Sequence, residues 1–329
     1  MHLSLSPARS LRATAAAASV LAAAACGTSQ PTADDATGSD ADAGPISLVD
    51  ATGATVELDA PAERVVVLEW QQVEDVLTLG VEPVAVADVE GYNTWVSAEE
   101  LDPDTTDVGT RGEPNLDAVF SANPDLIIME QEYSETVIEQ LAEYDVPVLV
   151  TDGADTQDPI GNMRDTFSLI AQALGKEDRA TEVLDEFDAT LADARAQVEA
   201  AELESREFVF MDAWLDGSNI ALRPFGQGSL VGELGEAIGL TNVWQGKVDP
   251  MYGLGSTDPE GLTKVGDAHF FHSSTDATEW VDALERNRVW RGAGFVESGR
   301  VHPFAEGVWT FGGPRSAEQV IASYVDGLA

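Results

Sequence analysis

The chain is short of cysteine, of histidine and above all of positive charge. Its 329 residues include one cysteine, four histidines, and 17 lysines and arginines against 59 acids, for a formal charge of −42. A lone cysteine, Cys26, rules out an internal disulfide and any metal site built on thiolates. The charge excludes binding of nucleic acid or of an anionic membrane through the folded surface, because the field repels polyphosphate over a Debye length. His2 lies in the amino-terminal leader, and His269, His272 and His302 all fall in the last third of the chain. His269 and His272 stand three apart on an expected strand, so they face opposite ways and do not share a metal. Direct metal ligation by the protein is therefore not expected. Catalytic motifs are missing as well: no nucleophile elbow, phosphate loop or HExxH occurs, and "GQGSLVG" (226–232) departs from the dinucleotide-loop spacing.

What is present begins with a leader. Residues 1–25 place Arg9 and Arg12 before a short apolar stretch, the layout of an export signal peptide and too short to span a bilayer as a mature helix. Ala23, Ala24 and Ala25 ahead of Cys26 and Gly27 resemble a bacterial lipoprotein cleavage site, where the thiol accepts diacylglycerol. A plain secretory signal with an incidental cysteine is the alternative. Residues 26–45 hold the cysteine and then "GTSQPTADDATGSDADAGP", which lacks aromatic and large aliphatic side chains and cannot bury enough surface to fold. A coil of that length has a root-mean-square span of roughly 25 Å. The expected location is the outer face of the cytoplasmic membrane, with the exported chain held by a lipid anchor.

From Ile46 the pattern becomes strand and helix in alternation. "RVVVLEW" (64–70) reads as a buried strand, "QQVEDVLTLG" (71–80) as a helix and "VEPVAVAD" (81–88) as the next strand. Asn115 caps a short helix through Phe120, "PDLIIME" is a strand, "SETVIEQLAEY" a helix and "VPVLVTD" a strand. Such alternation makes a parallel sheet covered on both faces. This first lobe spans 46–172. The segment 173–203 contains a helix from Glu177 to Ala201 with no Gly or Pro and a stripe including Val183, Phe187, Leu191 and Val198. A second lobe spans 204–329 and repeats the alternation through "REFVFMD", "SLVGELGEAIG", "AHFFHS", "GRVHPF" and a terminal helix from Ser316. The fold class is α/β, with two Rossmann-like lobes joined by a single long helix and a ligand cleft between them.

Within that frame two features point to the cleft. Arg111 stands in "VGTRGEPNLD", a cation on a glycine-flanked loop in a chain with few cations. Trp70, Tyr92, Trp95, Tyr133, Tyr252, Trp309 and Phe311 fall at strand ends or in glycine-rich loops rather than in mid-element, which suits a wide, partly aromatic cleft for a ligand larger than an ion.

The segments "RVVVLEWQQVEDVLTLGVEPVAVADVEGYNTWV", "DVGTRGEPNLDAVFSANPDLII", "NVWQG" and "GVWTFGGPRSA", together with the lipid-type start, resemble the iron-siderophore substrate-binding proteins of bacterial ABC importers. The likeness runs from about Pro45 to the C-terminus and is nearest to the hydroxamate (ferrichrome-type) binders, with ferric-citrate binders next. It implies the clamp of the class III periplasmic binding proteins, a monomer without enzymatic activity or cofactor, whose ligand is an Fe(III)-siderophore complex and whose partner is an ABC permease. It also implies site roles. Arg111 reaches the oxygen atoms around the chelated iron, where a guanidinium offers several donors without competing for the metal. Tyr133 donates its hydroxyl to the same oxygens, and Trp70, Trp95, Trp309 and Phe311 line the cleft. Phe311 stands where hydroxamate binders often carry tyrosine, and Leu254 where they carry tryptophan, a loss that Tyr252 could offset. Arg223 and Arg315 are further cleft candidates. Glu135 and Glu260 correspond to the glutamates that such proteins present to arginines of the permease. The alternatives are a haem or cobalamin receptor of the same fold, with Tyr133 as axial ligand to haem, and a secreted α/β enzyme, against which the missing nucleophile-base motif argues.

Overall fold

The computed structural model describes residues 44–131, 135–141, 143–275 and 277–329. The signal peptide, Cys26, most of the tether and Tyr133 lie outside the described residues, as does the side chain of Glu135.

The first lobe opens with an antiparallel hairpin, β1 (Ile46–Val49) and β2 (Thr55–Leu58). A parallel sheet follows: β3 (Val65–Val67), β4 (Ala85–Val86), β5 (Thr106–Asp107), β6 (Leu126–Glu130) and β7 (Val148–Thr151), in the order β5-β4-β3-β6-β7. Between these strands run α1 (Trp70–Thr78), α2 (Val89–Trp95), α3 (Leu116–Ser121) and α4 (Glu135–Leu141). In β3 all three valines are fully buried, with Val65 and Val67 in one apolar cluster and Val66 in another. A strand sandwiched on both faces must be apolar throughout, which is why it reads as a run and not as an alternation.

Two helices follow, α5 (Pro159–Leu174), closed by Gly175 in the left-handed conformation (φ 62°), and α6 (Glu177–Ala200). Glu177 and Asp178 in its first turn complement the helix dipole. Along α6, Ala180, Val183 and Leu184 pack into the core of the first sheet, and Phe187, Leu191, Ala194 and Val198 into that of the second. One helix thus contributes to both interiors.

The second sheet contains β8 (Glu207–Asp216), β9 (Asn219–Phe225), β10 (Thr241–Asn242), β11 (His269–His272) and β12 (Val301–Pro303), in the order β10-β8-β11-β12 with β9 beside β8. Its helices are α7 (Leu230–Ala237), α8 (Thr278–Arg286), α9 (Arg288–Arg291), α10 (Gly294–Glu297) and α11 (Pro314–Leu328). Gly235 of α7 lies against the Phe208 ring, and an added Cβ would fall inside that ring's surface. Gly235→Ala is therefore expected to destabilise the fold by about 1–3 kcal/mol, although alanine favours a helix over glycine by about 1 kcal/mol. Urea unfolding measures the sign, and stabilisation would show that the contact yields.

The structure corrects several local readings. Trp70 does not end the first strand: β3 stops at Val67, and Trp70 is the first residue of α1, whose N-cap Glu69 accepts the Trp70 N–H through its own side chain. Tyr92 and Trp95, expected in a loop, belong to α2, capped by Asp88. "REFVFMD" is the start of a longer strand that turns at Gly217 (φ 63°) and returns antiparallel, so the second sheet is mixed rather than wholly parallel. The hairpin signal was Asp216-Gly217.

Candidate functional site

In open parallel sheets, ligands sit outside the carboxyl ends of the strands, where the strand order reverses. In the first sheet that point lies between β3 and β6, and in the second between β8 and β11. A cavity of about 950 Å³ is found there, lined by Glu69 and Trp70 after β3, Glu130 at the end of β6, Asp212 on β8 and Ser273 after β11. Trp70, Trp95, Arg111, Arg223, Tyr252, Trp309 and Phe311 all line this one cavity, as does Leu254.

Arg111 sits at the apex of a tight turn. Gly109 supplies a positive φ of 101° that few other residues adopt, and Glu113 N–H closes the turn on Thr110 O at 3.2 Å. The Glu69 carboxylate accepts both Trp70 N–H at 2.8 Å and an Arg111 Nη1–H at 2.6 Å. The guanidinium carbon lies 3.7 Å from the Trp70 ring centroid and 5.8 Å from that of Trp309. The cation is thus fixed between a carboxylate and an indole. Its side chain remains 34% exposed, so the donors not used by Glu69 are free to serve a ligand.

On the other side, Arg223 of β9 is the cross-strand neighbour of Asp212 of β8 and holds it by two nitrogens, Nε at 2.9 Å and Nη2. Burial pushes the Asp212 carboxyl up and the Arg223 bonds draw it back. An aromatic wall joins the two sides: Trp309 lies 5.0 Å from Trp70, 6.3 Å from Trp95 and 5.3 Å from Phe311, which lies 5.7 Å from Tyr252. The Tyr252 hydroxyl donates to Glu130, a bond from one lobe to the other.

Two sequence candidates fall elsewhere. Tyr92 is fully buried and donates its hydroxyl to Glu99 O at 3.0 Å, a packing role in the first core. Arg315 pairs with Glu186 and Glu318 and is not part of the cavity lining. His269 Nδ1 lies 2.9 Å from His302 Nε2, while His272 packs against Trp280. Burial, helped by the neighbouring imidazoles, pushes His302 down to about 4. No cluster of three or more His, Cys, Asp or Glu side chains suited to a metal occurs among the described residues.

Sequence reasoning missed Glu69, Asp212, Trp214, Glu279 and Trp280, all of which line the cavity. Glu69 and Asp212 follow apolar strand runs, and an acid at the carboxyl end of a buried strand was the available signal. Beside the cavity, 309–311 leads through Gly312 and Gly313 into α11, where Ser316 N–H and Oγ–H donate to Glu74 of α1 at 2.8 and 2.5 Å. Burial raises the Glu74 carboxyl to about 7, and burial with the Glu74 charge raises Asp75 well above the usual carboxylate range.

A sequence profile described as that of the periplasmic binding proteins matches residues 65–302. The chain belongs to the periplasmic binding protein family. This periplasmic binding protein is 31% identical over 270 residues to the Fe(3+)-citrate-binding protein YfmC of Bacillus subtilis, covering 82% of this chain and 81% of that one. It is 27% identical over 254 residues to the iron(3+)-hydroxamate-binding protein FhuD of Escherichia coli, covering 77% and 83% of the two chains. Among solved structures, the siderophore-binding protein FhuD of Vibrio cholerae, bound to Fe3+ and Desferal, superposes with a TM-score of 0.70 at 24% identity, over 81% of this chain and 97% of that one. Bacillus subtilis FeuA, complexed with ferri-bacillibactin, gives 0.67 at 18% identity, over 86% and 97%. The fold is that of these two-lobed α/β binding proteins.

Proposed function

We propose that this periplasmic binding protein captures a ferric siderophore in the interlobe cavity and delivers it to the membrane permease of an ABC importer, hydroxamate complexes being favoured and ferric citrate next. The observation that carries this reading is Arg111, held by Glu69 and Trp70 at the mouth of an aromatic cavity of about 950 Å³. Oxygen atoms bound to Fe(III) remain electron-rich, and a pre-oriented guanidinium meets them with charge-assisted hydrogen bonds. Trp70, Trp95, Trp309, Phe311, Tyr252 and Arg223 shape the remaining wall, and Tyr133 adds a hydroxyl. The names of the curated relatives, for ferric citrate and for iron hydroxamate, support the same class. The protein acts as a monomeric receptor and not as an enzyme. Lipidation of Cys26 would hold it at the outer face of the cytoplasmic membrane, as in relatives named lipoproteins.

Quenching of the cleft tryptophans on titration with ferrioxamine, ferrichrome, ferric citrate, haem and cobalamin tests the reading. Saturable binding of a ferric siderophore is expected, and tight binding of haem or cobalamin with silent siderophores would replace it. Docking to the permease is assigned to Glu135, at the start of α4, and to Glu260, exposed in the short 3-10 turn Pro259–Lys264. Glu135→Ala and Glu260→Ala are expected to leave siderophore affinity unchanged and to lower uptake several-fold, because rim charges set orientation and encounter rate more than affinity. Loss of binding in the purified variants would assign the two glutamates to the cleft instead.

A further inference from the structure

The two lobes touch each other directly on both sides of the cavity. On one side the hydroxyl of Tyr252, which follows β10, donates to Glu130 at the end of β6, and beside it Thr156 Oγ–H donates to Pro250 O at 3.1 Å. On the other side Ser97 N–H, after α2, donates at 2.8 Å to the carbonyl of Gly307, after β12. Gln319 Nε2–H of α11 donates to the Ser97 hydroxyl at 3.2 Å. The strand orders set these contacts apart. In the first sheet Glu130 and Thr156 follow β6 and β7, whereas Ser97 lies between β4 and β5. In the second, β10 and β12 stand at opposite ends.

Both contacts are built on glycine. A Cβ at Gly153 would overlap the Glu130 carboxylate and lie 2.6 Å from the Tyr252 hydroxyl oxygen. One at Gly307, whose φ is 76°, would lie 2.6 Å from Ser97 Cβ. A side chain at either position would push the lobes apart. Behind Tyr252 they leave a void of only about 30 Å³, lined by Gly153 and Asn162 from one lobe and by Phe225, Ser229 and Tyr252 from the other. A phenol has one proton to give, and that of Tyr252 goes to Glu130, not to a ligand oxygen.

We propose that these contacts form a two-point clasp that sets the width of the cleft before a ligand arrives, with Tyr252 and Glu130 as positioning residues. This rests on the receptor reading above and goes beyond it, since the clasp acts alike on every ferric complex. Binding draws on the fraction of free protein already at the right width, so breaking the clasp weakens binding by lowering that fraction.

Three variants test it, each checked for folding by circular dichroism. Tyr252→Phe removes the proton and keeps the ring, Glu130→Met removes the acceptor and keeps the length, and Gly307→Ala acts at the opposite side. Stopped-flow tryptophan quenching with ferrioxamine B, ferrichrome and ferric citrate should show affinity falling about three- to tenfold, the scale of one hydrogen bond. The loss should be equal for each complex that the wild type binds and should be carried by the association rate. Tyr252→Phe combined with Glu130→Met should lose no more than either alone. In the ligand-free protein, amide exchange at Ser97 should accelerate in Tyr252→Phe, because the acceptor of that N–H belongs to the other lobe. A loss confined to the dissociation rate or to one complex would make Tyr252 a ligand contact. That result, unchanged affinity in the variants, or unchanged exchange at Ser97 would overturn the proposal and leave the receptor reading intact. Failure of all three complexes to bind the wild type would remove that reading, and exchange at Ser97 would still decide for or against the clasp.

Discussion

Arg111→Ala is expected to weaken ferric-siderophore binding by roughly 10- to 150-fold, the range for a hydrogen bond to a charged group converted to an equilibrium ratio. Two effects combine. The variant loses donors aimed into the cavity, and it leaves the Glu69 carboxylate, 14% exposed, without the cation that balances it. An unbalanced acid beside the iron-bound oxygens repels them. Arg111→Lys should recover part of the loss, since it keeps the charge without the planar fork. Glu69→Gln separates the terms: it removes the acid while retaining a capping oxygen for the Trp70 N–H. Dissociation constants from fluorescence titration, with melting curves to confirm folding, check the prediction. Unchanged affinity in a folded Arg111→Ala protein would remove the arginine from the recognition surface.

The second large effect concerns pH and the buried pair on α1. Glu74 has no solvent exposure, and its carboxyl rises from the ordinary 4.5 to about 7 because burial disfavours the charge. The folded chain therefore holds this proton more tightly than the unfolded chain does. The resulting stabilisation is complete below about pH 4.5 and is lost as pH rises through 7, a change of about 3 kcal/mol. Asp75, raised by burial and by Glu74, acts with the same sign. Urea unfolding between pH 5 and 8 should show stability falling as pH rises, and Glu74→Gln should flatten the slope and gain relative stability at pH 8. General repulsion among the acids also relaxes at low pH, but it is common to both proteins and cancels in the comparison. Parallel slopes would mean that Glu74 is ionised in the fold. Glu74→Ala, by contrast, should destabilise at every pH, because it leaves a cavity and frees the Ser316 N–H and hydroxyl that α1 now satisfies.

Much of this architecture was legible in the residues. Parallel strands covered on both faces must be apolar at every position, so "RVVV", "LIIM" and "VLV" announce themselves without regard to partners. Arg111 stood out because cations are scarce and because glycine beside it implied a turn. The readings that failed depend on distant sequence. Glu69 and Asp212 are anonymous among 59 acids until the fold sets Arg111, 42 residues on, against the first and the β9 strand against the second. β9 itself is only partly buried and carries Arg223 and Pro224, so it lacks the composition of a core strand. Glu74 and Asp75 look like a solvated helix face, and they are buried because α5 and α11 close over α1.

The 24-residue α6, without a glycine or proline and with side chains anchored in both interiors, has no pivot along its length. Any change of angle between the halves would then arise at the ends of this helix, at Gly175 or in the segment 201–206 that leads into β8, and not within it.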